Sequence, residues 1–178
     1  FYPRGGCLYN PRMPATIING IELAEKIKQE IRQRAANLSR PVHLTAILVG
    51  ATPAGELYAQ RQADACRNVG IEYELVTIPA EATQRDVKQE IRRLNHDPAV
   101  TGIMMHLPLP MHMDAPRLQY EIDVVKDVEG VNPANIGYVV YGHTLIAPCT
   151  ALAVIELIAS TGVKIEGAEA VVVGASEI

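Results

Sequence analysis

The sequence predicts an α/β fold in which helices cover both faces of a parallel sheet, in three layers. Two short, nearly all-apolar runs, LTAILVG from Leu44 and VTGIMMHL from Val100, have the composition of strands buried on both faces. Segments with apolar residues at helical spacing alternate with the strand candidates. A strand, helix, strand, helix, strand rhythm of this kind implies parallel crossovers, because each helix must carry the chain back across the sheet before the next strand starts.

The elements follow in order. Ala24, Ile27, Ile31, Ala35 and Leu38 recur among Glu, Lys, Gln and Arg, which predicts an amphipathic helix from about Gly20 to Asn37. The run from Leu44 reads as a strand ending at a glycine turn, and a helix is expected from Gly55 to Val69. IEYELVTI, from Ile71, alternates as a strand does. Thr83 with Asp86 three residues on forms a capping box, and Val87, Ile91 and Leu94 give the helix behind it a buried stripe. After the Val100 strand comes a Pro- and Gly-rich segment, KDVEGVNPANIG. PCT then opens a helix with Thr150 as its expected N-cap and Leu152, Ile155, Leu157 and Ile158 as its apolar residues. EAVVVGAS reads as a new strand and glycine turn, so a second α/β unit is expected to start after a boundary near Pro148.

Residues 1–13 lack periodicity and read as a leader or added upstream sequence, with Met13 as a natural start. They lack the amphipathic, Arg- and Ser-rich pattern of an organelle-targeting segment.

Composition removes several function classes. With 178 residues and 48% hydrophobic content, the chain has ample material for a packed core. A net charge of -4 disfavours a nonspecific nucleic-acid binder, which needs a basic face to displace counterions from phosphate. No long uncharged apolar run is present, so no membrane span is expected. Cys7, Cys66 and Cys149 are far apart and form no CxxC pair, so they are read as reduced thiols with no metal bound. The expected setting is cytoplasmic, with an organelle not excluded.

In parallel α/β sheets, ligands gather at the carboxyl ends of the strands. Those ends carry the unusual residues here: GATPAGELY after the Leu44 strand and HLPLP after the Val100 strand. Together with IINGIELA, KDVEGVNPANIG, PCT and VVVGAS, in this order, they resemble the methylenetetrahydrofolate dehydrogenase/methenyltetrahydrofolate cyclohydrolase family from about Ala15 to the last residue. The resemblance implies a folate-binding catalytic domain over residues 14–147. Residues 148–178 would be a linking helix and the first strand of a truncated Rossmann domain. It also implies a homodimer acting on a tetrahydrofolate derivative with NADP or NAD.

Carried over residue by residue, the resemblance assigns Tyr58 to the aromatic shelf on which the folate lies. Gln62, one helical turn on, occupies the place of the family's catalytic lysine. His106 stands where a glutamine partners that lysine, and Glu129 where an aspartate grips the pterin. Pro108 and Asp127 complete the implied substrate-binding set, although the LPLP run and Asp127 also read as loop-shaping residues. Gly55 replaces a serine, Asp64 replaces a second lysine, and Ala151 replaces the proline that usually follows PCT. Gly174 and Ser176 are the expected remnant of the dinucleotide turn, and the uncharged Ala175 between them makes NAD more plausible than NADP.

An amide has no titratable proton near neutral pH, so the loss of the lysine predicts that dehydrogenation survives and hydrolysis does not. A neutral imidazole at His106 could replace the missing base, or could simply hydrogen-bond the Gln62 amide. The competing reading is a catalytically inactive folate-binding or scaffold protein on the same fold.

Overall fold

The computed structural model describes residues 17–174, so the expected leader and Ser176 lie outside the described residues. Three parallel strands, β1 (His43–Val49), β2 (Glu72–Ile78) and β3 (Gly102–Met105), form a sheet in the order β2-β1-β3. β1 pairs with Glu72–Ile78 along its whole length and with β3 from Leu44↔Gly102 to Ile47↔Met105. A central parallel strand is covered on both faces, and Thr45 to Val49 are accordingly all buried.

The two faces follow from the period of two along a strand. Ile47, Val49, Ile103 and Met105 share a cluster with Val87, Ile91 and Leu94 of α3 (Gln84–His96) and Leu118 of α4 (Ala115–Gln119). Ala46, Leu48 and Met104 alternate with them and point to the opposite side. There α2 (Pro53–Val69) buries Ala59, Cys66 and Val69, and Gly55 comes close to Leu48. The outer helix α1 (Gly20–Ala36) has no fully buried residue and lies against α2.

Local signals set the boundaries. Thr52 caps α2 by accepting from Gly55 N–H, and Pro53 sits at the first helical position where a missing N–H costs nothing, so the helix starts before the predicted Gly55. Gly70, at φ +78°, ends it in the left-handed conformation. The Thr83 capping box forms as predicted, with Asp86 N–H donating to Thr83 Oγ1 and Thr83 N–H donating to Asp86 Oδ2 at 2.9 Å.

Beyond β3, residues 126–128 run beside the sheet, with Ile103 N–H donating to the Lys126 carbonyl at 2.7 Å. α5 (Pro133–Val140) and α6 (Cys149–Ala159) follow. Two expectations are corrected here. The N-cap of α6 is Pro148, not Thr150, and it supplies no side-chain hydrogen bond. The predicted strand in EAVVVGAS does not form over its described part: Val171, Val172 and Val173 are irregular and 90%, 87% and 96% exposed. A strand needs a neighbour for its N–H and C=O groups, and among the described residues none lies alongside.

Candidate functional site

The connection from β1 through α2 to β2 covers one face, and the return through α3 to β3 covers the other. Adjacent strands β1 and β3 therefore send their chains to opposite sides, which opens a crevice at their carboxyl ends. A cavity of about 390 Å³ occupies that crevice. Leu48 and Gly50 come from the end of β1, Thr52, Gly55 and Tyr58 from the cap and start of α2, and His106 to Pro108 from the end of β3. Gln119 and Glu129 close it from the far side. The Leu107–Pro108 peptide bond is cis.

Tyr58 is 60% exposed and forms one wall. Its ring meets His106 edge to face, with centroids 5.5 Å apart and planes at 87°. A Cβ on Gly55 would stand 3.1 Å from Leu48 Cδ1 and Thr52 Oγ1, so any side chain there would crowd the α2 start. Pro108 lines the cavity as expected.

Gln62 lies one turn beyond Tyr58, half-buried, and turns towards the sheet. Its Nε2 donates to Met104 Sδ at 2.7 Å, while its Oε1 is buried with no partner. His106 Nε2 is likewise buried with no partner, so the expected hydrogen bond between the imidazole and the Gln62 amide is absent. Burial pushes the His106 pKa down, which favours the neutral ring. With Nε2 sealed, only Nδ1 retains access to the cavity, and a base role for His106 through Nε2 has no geometric support.

Glu129 reaches the cavity because its segment runs along β3: Met105 N–H donates to Glu129 Oε2 at 3.5 Å. Burial, the largest cause, pushes its carboxyl above the usual carboxylate range; the Met105 hydrogen bond opposes this and nearby Asp127 adds to it. Tyr58, Pro108 and Glu129 all line this one cavity.

Asp127 is a correction. It is 1% exposed, and four donors occupy its carboxylate. Oδ1 accepts from Glu129 N–H at 3.1 Å and Gly130 N–H at 3.0 Å, and Oδ2 from Asn132 N–H at 2.8 Å and Asn135 Nδ2 at 2.9 Å. No lone-pair direction is left for a ligand, so Asp127 shapes the loop that delivers Glu129 and does not bind substrate. Asp64 accepts from Arg67 at 2.7 Å and from Gln60 at 3.2 Å, as a solvated helix residue does. Burial raises the thiol pKa of Cys66 and Cys149, and both are free.

Gly174, the one described residue of the expected dinucleotide turn, has φ +143° and nothing near its Cβ position. Among the described residues no glycine-rich turn opens a helix there, so the described residues by themselves form no cradle for a dinucleotide. Residue-type reasoning missed Gln119 altogether. Its signal was an amide next to the core residue Leu118 on a five-residue helix, too short to show a period.

A parallel α/β domain whose strand-end cavity joins an exposed tyrosine ring, a proline and a half-buried carboxylate has the architecture of an enzyme's catalytic domain. The chain belongs to the tetrahydrofolate dehydrogenase/cyclohydrolase family, matching its catalytic domain over residues 18–129. It is 39% identical over 170 residues to the bifunctional protein FolD of Bordetella avium (strain 197N), covering 93% of this chain and 60% of that protein. The crystal structure of the bifunctional enzyme FolD from Campylobacter jejuni superposes with a TM-score of 0.89 at 36% identity, over 92% of this chain and 59% of that one. The Trypanosoma brucei FolD, complexed with NADP cofactor and inhibitor, gives a TM-score of 0.80 at 32% identity, over 87% and 55% of the two chains. The chain thus spans about 60% of the length of the first two relatives.

Proposed function

We propose that the cavity binds a tetrahydrofolate derivative. In this reading the whole protein oxidises methylenetetrahydrofolate to methenyltetrahydrofolate with NADP or NAD, and hydrolysis of the methenyl product is lost or severely reduced. One observation carries the split between the two activities: among the described residues none of the side chains lining the cavity is a lysine or arginine, and the group one turn from Tyr58 is an amide held on Met104. Adding water to a methenyl cation and opening its ring requires protons to be moved at neutral pH, and an amide cannot move them. Oxidation makes a different demand, since the cofactor supplies the hydride acceptor and this domain has only to hold the folate in register. Tyr58 would carry the ring and Glu129 its amino-pyrimidine edge, which suits a carboxylate accepting two hydrogen bonds.

The nicotinamide-binding domain after Pro148, the homodimer and the cytoplasmic setting belong to this same proposal. Similarity to longer relatives supports them, and no long apolar helix among the described residues argues for a membrane instead.

The test assays both half-reactions on the full-length protein and on its Gln62→Lys variant. Oxidation in both, with hydrolysis only in the variant, is expected. Rapid hydrolysis by the wild type would overturn the proposed lesion. If neither half-reaction occurs but the folate still binds in equilibrium dialysis, the protein is a binder, a reading that the lack of a lining amine among the described residues also supports.

A further inference from the structure

Gln119 stands apart from the other buried amides of the chain. Asn132 Nδ2 donates to the Ile122 carbonyl at 2.9 Å, Asn135 Nδ2 to Val124 and Asp127, and Asn95 Nδ2 to the Glu121 carbonyl at 2.7 Å. Asn95 thus ties α3, and Asn132 and Asn135 tie the start of α5, to the stretch between residues 121 and 127. Gln119 is only 7% exposed and lines the cavity with His106 and Glu129, yet its carboxamide makes no hydrogen bond among the described residues. Nor is either of its amide atoms sealed: the buried, partnerless side-chain atoms belong to Thr45, Gln62, Tyr73, His106 and Asn135. The amide therefore opens on the cavity. A leucine of nearly the same size would fill that position at lower cost, because an unpaired buried amide gives up its hydration for nothing.

We propose that Gln119 is a specificity-determining residue that hydrogen-bonds the ring substituent next to the edge held by Glu129. The inference rests on the folate reading of the cavity and extends it to a residue outside the expected site. Glu129 when ionised can only accept, whereas a carboxamide offers two donors and an acceptor. Together they match a 2-aminopyrimidine-type ring whose 2-amino group, joined in the oxo form by the ring N3–H, faces a carboxylate and whose adjacent position bears either an oxo or an amino group. By turning over, the amide can donate to the first or accept from the second.

Equilibrium dialysis against tetrahydrofolate, which carries the oxo group, and against a 2,4-diaminopteridine tests the assignment, with thermal unfolding of each ligand-free variant alongside. Gln119→Leu is expected to weaken both ligands roughly three- to ten-fold, the worth of one neutral hydrogen bond, while leaving the ligand-free melting temperature equal or higher. A purely structural glutamine would instead lower that temperature. Gln119→Glu, which when ionised can only accept, is expected to weaken tetrahydrofolate more than the diaminopteridine. Unchanged affinities in Gln119→Leu, or an equal loss of both ligands in Gln119→Glu, would overturn the inference and leave the folate site standing. A wild-type chain that binds neither ligand would overturn the folate reading itself, and this inference with it.

Discussion

The rings of Tyr58 and His106 meet edge to face at 5.5 Å, one from the second turn of α2 and the other from the residue after β3. This contact joins the two elements that diverge from the sheet at the crevice, so it holds a cavity wall as well as contributing to packing. An edge-to-face pair contributes about 0.5–1.5 kcal/mol beyond area burial. Because Tyr58 is largely exposed, Tyr58→Ala should cost the fold no more than about that amount while removing the ring proposed to carry a flat ligand. We expect a small drop in denaturant midpoint together with a large loss of tetrahydrofolate affinity, and Tyr58→Phe should retain both. Equal stability and equal affinity in the alanine variant would refute the shelf.

His106 gives the protein a pH signature. Burial lowers its folded-state pKa below the ordinary 6.5, so under acid conditions the unfolded chain binds a proton that the folded protein resists. Its contribution to stability is complete above about 6.5 and declines as the pH falls from there towards the folded value. Urea unfolding at pH 8 and pH 5 should show the wild type losing more stability on acidification than His106→Gln does. Parallel losses in the two proteins would show that the imidazole does not contribute.

How far the sequence revealed this site depends on the range of the interactions involved. Periodicity located the strands and long helices because burial of one face acts along neighbouring residues, and β1, β2, α2 and α3 lie within a few residues of their predicted positions. The resemblance singled out Tyr58, Pro108 and Glu129, which line the cavity. It could not show that Asp127 is saturated, because its four donors come from a fold of the chain on itself between residues 129 and 135. Likewise Gln62 is tied to Met104 and not to His106, a tertiary pairing with no local signature. EAVVVGAS looked like a strand from composition, yet pairing is what makes a strand, and Val171 to Val173 have no partner among the described residues.

Glu129 carries opposing demands. Its folded-state pKa is raised above the ordinary 4.5, mainly by burial, so the stability it contributes is full below that value and lost as the pH rises through the folded pKa. Glu129→Gln removes the charge that burial penalises and should raise the melting temperature at pH 7 more than at pH 4. The same change replaces one carboxylate oxygen with a donor, which cannot accept from the ring. Tetrahydrofolate affinity should then fall by about ten- to a hundred-fold, the worth of a charge-assisted hydrogen bond of roughly 1.5–3 kcal/mol. A variant that binds as tightly as the wild type would show that Glu129 only lines the cavity.

Gly130 fixes the path by which the chain leaves the site. At φ +70° it already occupies the left-handed region, and a Cβ there would lie 2.5 Å from the Ala147 carbonyl carbon and 2.7 Å from Pro148 N. Those atoms are backbone and cannot swing aside, so the segment leading into α6 would have to lift away from the loop that carries Glu129. Gly142 provides the control, since its φ is +73° and nothing lies within 4 Å of its Cβ position. Gly142→Ala should cost only the left-handed penalty of about 1–2 kcal/mol. Gly130→Ala carries that penalty and the clash together, so it should unfold at clearly lower urea and weaken tetrahydrofolate binding, because Glu129 is its neighbour in the displaced loop. If the two alanine variants were equally stable, the crossing of residues 147 and 148 over Gly130 would not constrain the fold.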